Sequence, residues 1–195
     1  MKTRVLFVVD MQKDFVDGAL GSKDAVAIVP NVAAKVKEYD ERGDEIVFTR
    51  DTHHDNYLKT QEGRKLPVVH CIEGTPGWEV VPEVLSKRKF SFHDDFGDTG
   101  VRYMDKPSFG GFNNIIGFAT RMRNKYGYSV DDNLEIELVG LCTDICVISN
   151  AMLLKSVFPE ARIVVDASCC AGVTPESHKN ALNAMKAVQI EVINE

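Results

Sequence analysis

Several features are missing from this 195-residue chain, and each absence narrows what it can do. No stretch approaches the ~20 apolar residues that cross a bilayer, so no membrane role is expected. Basic residues are outnumbered, with 23 Lys and Arg against 29 Asp and Glu. A net charge of −6 and the lack of any basic run argue against nucleic acid or an anionic membrane surface as partner. An export signal is also missing. Lys2 and Arg4 precede an apolar run, but it ends at Asp10 after five residues, short of the roughly 7–15 a signal core needs. The segment reads as a first strand, and the expected location is the cytoplasm.

The five cysteines form an odd count, and without export they are expected to be reduced thiols. Cys71, Cys142, Cys169 and Cys170 sit among apolar or small residues and read as small buried hydrophobes. A four-thiolate zinc site built from Cys142, Cys146, Cys169 and Cys170 would lack the usual paired two-residue gaps. There is no internal repeat, low-complexity tract or linker. What remains is an ordinary globular composition, 44% hydrophobic and 27% charged. One domain spanning residues 1–195 is expected, long enough for a sizeable core.

Short β-branched runs alternate with helical stretches. Strands are predicted at Arg4–Val9, Glu45–Thr49, Arg88–Phe92, Glu135–Val139, Arg162–Val165 and Ile190–Ile193. The helix predicted over Ala25–Arg42 turns Val26, Val29, Val32, Ala33 and Val36 inward and stops at Gly43. Further helices are predicted at Pro82–Leu85, Phe112–Tyr126, Asp144–Phe158 and Pro175–Val188, the last with Thr174 as its cap. This alternation predicts an α/β fold, with a mainly parallel sheet covered by helices on both faces. Such sheets bind ligands beyond the carboxyl ends of their strands. Asp10, the pair Asp51 and His53, Lys106 and Cys146 all fall just after predicted strands, so they are expected to share one rim.

Each cluster has a plain reading and a chemical one. Asp10 ends a buried apolar strand, where it can cap a helix or act as a general base toward a thiol. Asp51 and His53, two apart in an extended segment, point to the same side, and His70 follows after a loop. Together they can form a first shell for zinc, manganese or iron, with Glu62 in the intervening loop as a further oxygen ligand. The plain alternative is a set of surface or satisfied histidines. His54 has the opposite alternation and is expected to be exposed; His93 and His178 lack a cluster and read as structural. Lys106 can be a solvated loop charge or, with Phe109 and Phe112 close behind, a cation held against apolar walls that steadies a thiolate. Cys146 can be a buried helix residue. In LVGLCTDICV it also stands where a strand breaks and a helix begins, a place that favours a thiolate nucleophile and an oxyanion site.

These motifs, in this order, resemble the isochorismatase-like cysteine hydrolase superfamily, most closely its nicotinamidase/pyrazinamidase branch. The resemblance covers nearly the whole chain. It rests on Asp10-Met11-Gln12-Lys13-Asp14-Phe15, on Asp51-Thr52-His53, and on His70-Cys71 with Gly74-Thr75-Pro76-Gly77. It rests further on Lys106 to Phe112 and on Gly140 to Val147. It implies a three-layer α/β/α sandwich and a catalytic set of Asp10, Lys106 and Cys146. It implies a cis peptide between Leu141 and Cys142 that aims the N–H groups of Cys142 and Cys146 at one oxyanion. It implies a divalent metal, zinc foremost with manganese or iron as alternatives, on Asp51, His53 and His70, with Glu62 as a looser match. The implied substrate is a small amide such as nicotinamide, hydrolysed through a thioester, and a homo-oligomer is expected.

Two departures touch the substrate pocket. Pro67 stands where nicotinamidases often carry Trp, and the chain's one Trp is Trp78. The segment after Lys106 is short, which leaves Phe109 and Phe112, with Phe15, as candidate pocket walls. Within the fold, another small amide, a ureido compound or isochorismate is the alternative substrate. Outside it stand a silent binding module and a thiol redox protein using Cys142 and Cys146, where the side-chain vectors of two cysteines four residues apart on a helix are poorly placed for a disulfide.

Overall fold

The computed structural model describes residues 2–87 and 102–195. The strand predicted at Arg88–Phe92, and His93, lie outside the described residues. Strands β1 (Thr3–Val9), β2 (Glu45–Asp51), β3 (Arg102–Lys106), β4 (Leu134–Leu141), β5 (Arg162–Ala171) and β6 (Glu191–Ile193) form one sheet in the order β3-β2-β1-β4-β5-β6. Every neighbouring pair is parallel. The helices are α1 (Lys13–Val16), α2 (Lys23–Arg42), α3 (Gln61–Lys65), α4 (Pro82–Leu85), α5 (Phe112–Tyr126), α6 (Ile148–Val157) and α7 (Pro175–Ala187).

Residues of β1 alternate between two cores. Leu6 and Val8 face α2 and α4, where Ile28, Val32, Val36 and Val84 pack. Val5, Phe7 and Val9 face α5, α6 and α7, meeting Phe118, Leu154 and Leu182. This makes three layers, as the alternation predicts, because a parallel sheet apolar on both faces must be covered on both. Among the described residues no helix is long and apolar enough to cross a membrane.

Local chemistry sets the helix ends. Ser22 accepts from the Ala25 N–H at the start of α2, and Gly43, at φ +72°, ends it. The helix therefore starts at Lys23, and its buried stripe includes Ala25 and Ile28, not the expected Val26, which is exposed. Thr174 and Ser177 form a reciprocal cap on α7.

Two differences from expectation matter for the site. Lys106 is the last residue of β3, not part of a following loop. In the strand RYMDK, Met104 and Lys106 are buried while Asp105 is exposed, so a charged residue occupies an inward position and masks the strand pattern. The predicted helix at Asp144–Phe158 is also two pieces. Thr143–Val147 is a wider π-helical turn, and α6 begins only at Ile148.

Candidate active site

The strand order reverses direction between β1 and β4, which opens a crevice beyond their carboxyl ends. Asp10 follows β1 and Cys146 lies in the turn after β4. Gly140, at φ +116°, makes the approach of these strands possible, since a Cβ there would lie 2.1 Å from the Val9 carbonyl oxygen. Asp10 itself takes φ +48°, a region aspartate tolerates better than most residues.

Lys106 Nζ lies 2.6 Å from Asp10 Oδ2, 3.5 Å from Cys146 Sγ and 3.4 Å from Asp51 Oδ1. Asp10 and Lys106 are both fully buried, and Cys146 is 5% exposed. Thr49 Oγ1 donates to the other Asp10 oxygen at 2.5 Å. Burial raises the Asp10 carboxyl above its ordinary value, which makes it a stronger base, and Lys106 offsets part of that rise. Burial alone would lower Lys106, but the carboxylates of Asp10 and Asp51 outweigh it and raise the amine on balance.

The thiol departs from expectation. Burial pushes Cys146 well above the ordinary thiol value, Lys106 offsets only part of this, and the charges of Asp10 and Asp51 add to the rise. A helix start was expected to favour the thiolate. Cys146 instead sits in the π turn ahead of α6, and desolvation dominates. Burial thus favours the neutral thiol, which sits beside the close Asp10–Lys106 contact. The Leu141–Cys142 peptide is also trans, not cis. The trans form is intrinsically lower in energy, and Gly140 supplies the change of direction.

Adjacent to this set, Asp51, His53, Glu62 and His70 present ligand atoms that all lie within 4.8 Å of one another. Asp51 Oδ2 is 2.8 Å from His53 Nε2 and 3.5 Å from His70 Nε2, and Glu62 Oε1 is 3.5 Å from His53 Nε2. His70 Nδ1 lies 2.8 Å from the Val68 carbonyl oxygen, to which it donates, which turns Nε2 toward Asp51. His53 Nε2 is buried and makes no directed hydrogen bond. Burial and the Asp51 charge raise Glu62. Burial would lower His70, but Asp51, the Val68 carbonyl and Glu62 raise it on balance. Two carboxylates and two imidazole nitrogens converge on one point that favours positive charge, which is a fitting donor set for a divalent ion.

The structure brings Asp10, Lys106 and Cys146 together with Asp51, His53, Glu62 and His70. The aromatic ones diverge. Phe15 packs on His70 with ring centroids 5.4 Å apart. Phe109 and Phe112 are 47% and 59% exposed, and Phe109 lines an open apolar groove with Ile148, Met152 and Leu153. His54 is exposed, as its alternation predicts. His178 is half-buried, with Nδ1 2.8 Å from Thr143 Oγ1.

Gln12 stands in the Asp10–Phe15 motif with no role assigned, and Tyr57 and Asn150 carried no signal that set them apart in the sequence. Gln12 accepts from the Asp51 backbone N–H and donates to the Asp51 and Trp78 carbonyls, which fixes the end of β2. Tyr57 is buried against both His53 and His70, at centroid distances of 4.6 and 5.0 Å. Asn150 donates to the Cys146 carbonyl at 2.8 Å and accepts from the Gly111 N–H at 2.9 Å, tying the Cys146 turn to the loop after β3. A buried Gln or Tyr following an apolar strand was the available hint for the first two.

Fold and site together define an α/β hydrolase with its chemistry at the carboxyl end of a parallel sheet. The chain belongs to the isochorismatase family, whose domain pattern matches residues 4–195. Within that family it lies with the amidohydrolases of the nicotinamidase/pyrazinamidase branch. It is 27% identical to the nicotinamidase of Schizosaccharomyces pombe, over 97% of this chain and 92% of that one. The nicotinamidase/pyrazinamidase structure from Bacillus subtilis superimposes with a TM-score of 0.80 at 26% identity, covering 98% of this chain and all of that one. The pyrazinamidase of Pyrococcus horikoshii in complex with zinc superimposes at 0.75, also at 26% identity, covering 98% and 99% of the two chains.

Proposed function

We propose that this protein is a metal-containing cysteine amidase that hydrolyses nicotinamide, or a closely related small carboxamide, to the carboxylate and ammonia. The observation that carries the reading is Lys106 Nζ standing between Asp10 Oδ2 at 2.6 Å and Cys146 Sγ at 3.5 Å in a buried site.

The neutral thiol needs a base at the moment of attack, and Asp10, raised by burial, is placed to be one. Cys146 Sγ attacks the carboxamide carbon as its proton passes to Asp10. Lys106 balances the negative charge as it moves between carboxylate and sulfur. The oxyanion would fall to backbone N–H groups of the turn that carries Cys146. Asp10 returns the proton to the departing nitrogen, the C–N bond breaks, and ammonia leaves a thioester. Water then attacks the thioester, giving one proton to Asp10; the C–S bond breaks, that proton returns to Sγ, and the carboxylic acid leaves and ionises to the carboxylate, its proton ending on ammonia as ammonium. Asp51, His53, His70 and Glu62 would hold a divalent ion, with zinc favoured because the Pyrococcus horikoshii relative carries it. Such an ion supplies Lewis acidity toward a substrate ring nitrogen or a water beside the nucleophile. Phe15, packed on His70, is the pocket wall nearest that cluster.

The deciding experiment is ammonia release from nicotinamide, pyrazinamide and a set of ureido compounds. Turnover of nicotinamide or pyrazinamide above that of the ureido compounds is expected. The reverse preference would overturn the substrate assignment and leave the reaction class standing.

A further inference from the structure

The metal-cluster histidines reach their positions from different segments, and His70 comes from a loop. Its backbone is fixed at the next residue. Cys71 takes φ +45°, a strained value for a residue with a side chain. The Cys71 carbonyl accepts from the His53 N–H at 3.0 Å, which joins the two histidine segments. The Cys71 N–H donates to Asp14 Oδ2 at 2.8 Å. Asp14 sits in α1, outside both the ion cluster and the Asp10–Lys106–Cys146 set. Its carboxylate is closely enclosed. A Cβ built on Gly77 would lie 2.2 Å from Asp14 Oδ2 and 2.4 Å from its Oδ1, so any other residue at 77 would displace that carboxylate. The Gly77 segment is itself held against α1, because the Lys13 N–H donates to the Glu79 carbonyl and the Val81 N–H to that of Met11.

We propose that Asp14 is a positioning residue for the metal cluster: by holding the Cys71 N–H it fixes the strained turn that aims His70 at Asp51, and position 77 is glycine so that the Asp14 carboxylate can reach that N–H. Asp14 acts through the backbone and touches neither metal nor substrate. The role rests on the metal reading given above. Releasing the Cys71 N–H lets the backbone relax toward negative φ, and the His70 ring then loses its alignment with Asp51, His53 and Glu62.

Zinc affinity of the full chain, measured by competition with a chromophoric chelator, tests this directly. Asp14→Ala is expected to weaken zinc binding roughly 10-fold or more, the range found for groups that orient metal ligands. Asp14→Asn keeps an oxygen acceptor and is expected to recover most of the loss. Gly77→Ala is expected to match Asp14→Ala, and the double variant to bind no worse than either alone. Thermal midpoints of the metal-free proteins are read alongside. A lowered midpoint with zinc affinity within twofold of the parent would mean a merely structural role and would overturn the inference. If Asp14→Ala does not fold, Gly77→Ala decides, and unchanged affinity there overturns it equally. A parent chain that takes up none of zinc, manganese and iron overturns the metal reading and this inference together. A parent that binds zinc as tightly as its Asp14 and Gly77 variants overturns this inference alone.

Discussion

Asp51 touches Lys106 with one oxygen and the histidine cluster with the other: Oδ1 lies 3.4 Å from Lys106 Nζ, and Oδ2 lies 2.8 Å from His53 Nε2. One carboxylate therefore serves both halves of the site. Asp51→Asn is expected to weaken zinc binding at least as much as His70→Ala does. It should also lower kcat beyond the effect of metal loss, because Lys106 loses an anionic neighbour. Zinc affinity and kcat, compared between the two variants at saturating metal, check this. Equal kcat in both would show that Asp51 acts only as a ligand.

Cys146 is the sole sulfur within reach of Lys106 among the described hydrogen bonds. Cys146→Ala is expected to lower ammonia release by about 10³-fold or more, the scale seen when a covalent nucleophile is removed. Its thermal midpoint should change by only a few degrees, since one small buried group is lost. Retained turnover in a folded Cys146→Ala protein contradicts the thioester route.

Asp10 and Lys106 are both 0% exposed, so neither charge can turn to water when its partner is removed. Lys106→Met should destabilise the fold by about 3–5 kcal/mol, because it leaves a buried carboxylate uncompensated. The double variant Asp10→Asn/Lys106→Met should be more stable than the sum of the single losses implies. Urea unfolding of the four proteins measures this, and strict additivity would mean the pair is not coupled.

Asp166 lies in β5, away from the site, and is 1% exposed. Burial would raise its carboxyl, but bonds from Ser168, Lys35 and Asn194 lower it overall. A carboxyl lowered in the folded state stabilises above its ordinary value near 3.8, and the contribution disappears as pH falls through the folded value. Asp166→Asn should therefore be less stable than the parent at neutral pH, with the gap closing as pH drops below about 4. Urea unfolding of both proteins between neutral and acid pH reads the gap, and a constant difference would rule out this linkage.

Much of the fold was legible because the signals were local. Val5 to Val9 and Ile46 to Phe48 are apolar runs, Leu134, Ile136 and Leu138 alternate with Glu135 and Glu137, and Ser22, Gly43 and Thr174 mark helix ends through hydrogen bonds within a few residues. Lys106 was misread because a charge at an inward strand position breaks the pattern the eye follows. It is tolerated there only because Asp10 and Asp51, distant in sequence, face it. The π turn at Thr143–Val147 has no compositional signature that separates it from the start of α6.

The sequence by itself determined five of the six described strands and the long helices between them, and with them the parallel sheet and the rim where Asp10, Asp51, His53 and Cys146 gather; β3 was not among them. Periodicity and capping act over a few residues and can be read one segment at a time. Only the tertiary structure decided in which direction the Cys146 thiol is pushed. A helix-start thiol reads as a thiolate when its surroundings are unknown, but desolvation depends on everything packed around the sulfur. With Cys146 5% exposed, that burial outweighs the nearby lysine and raises the thiol.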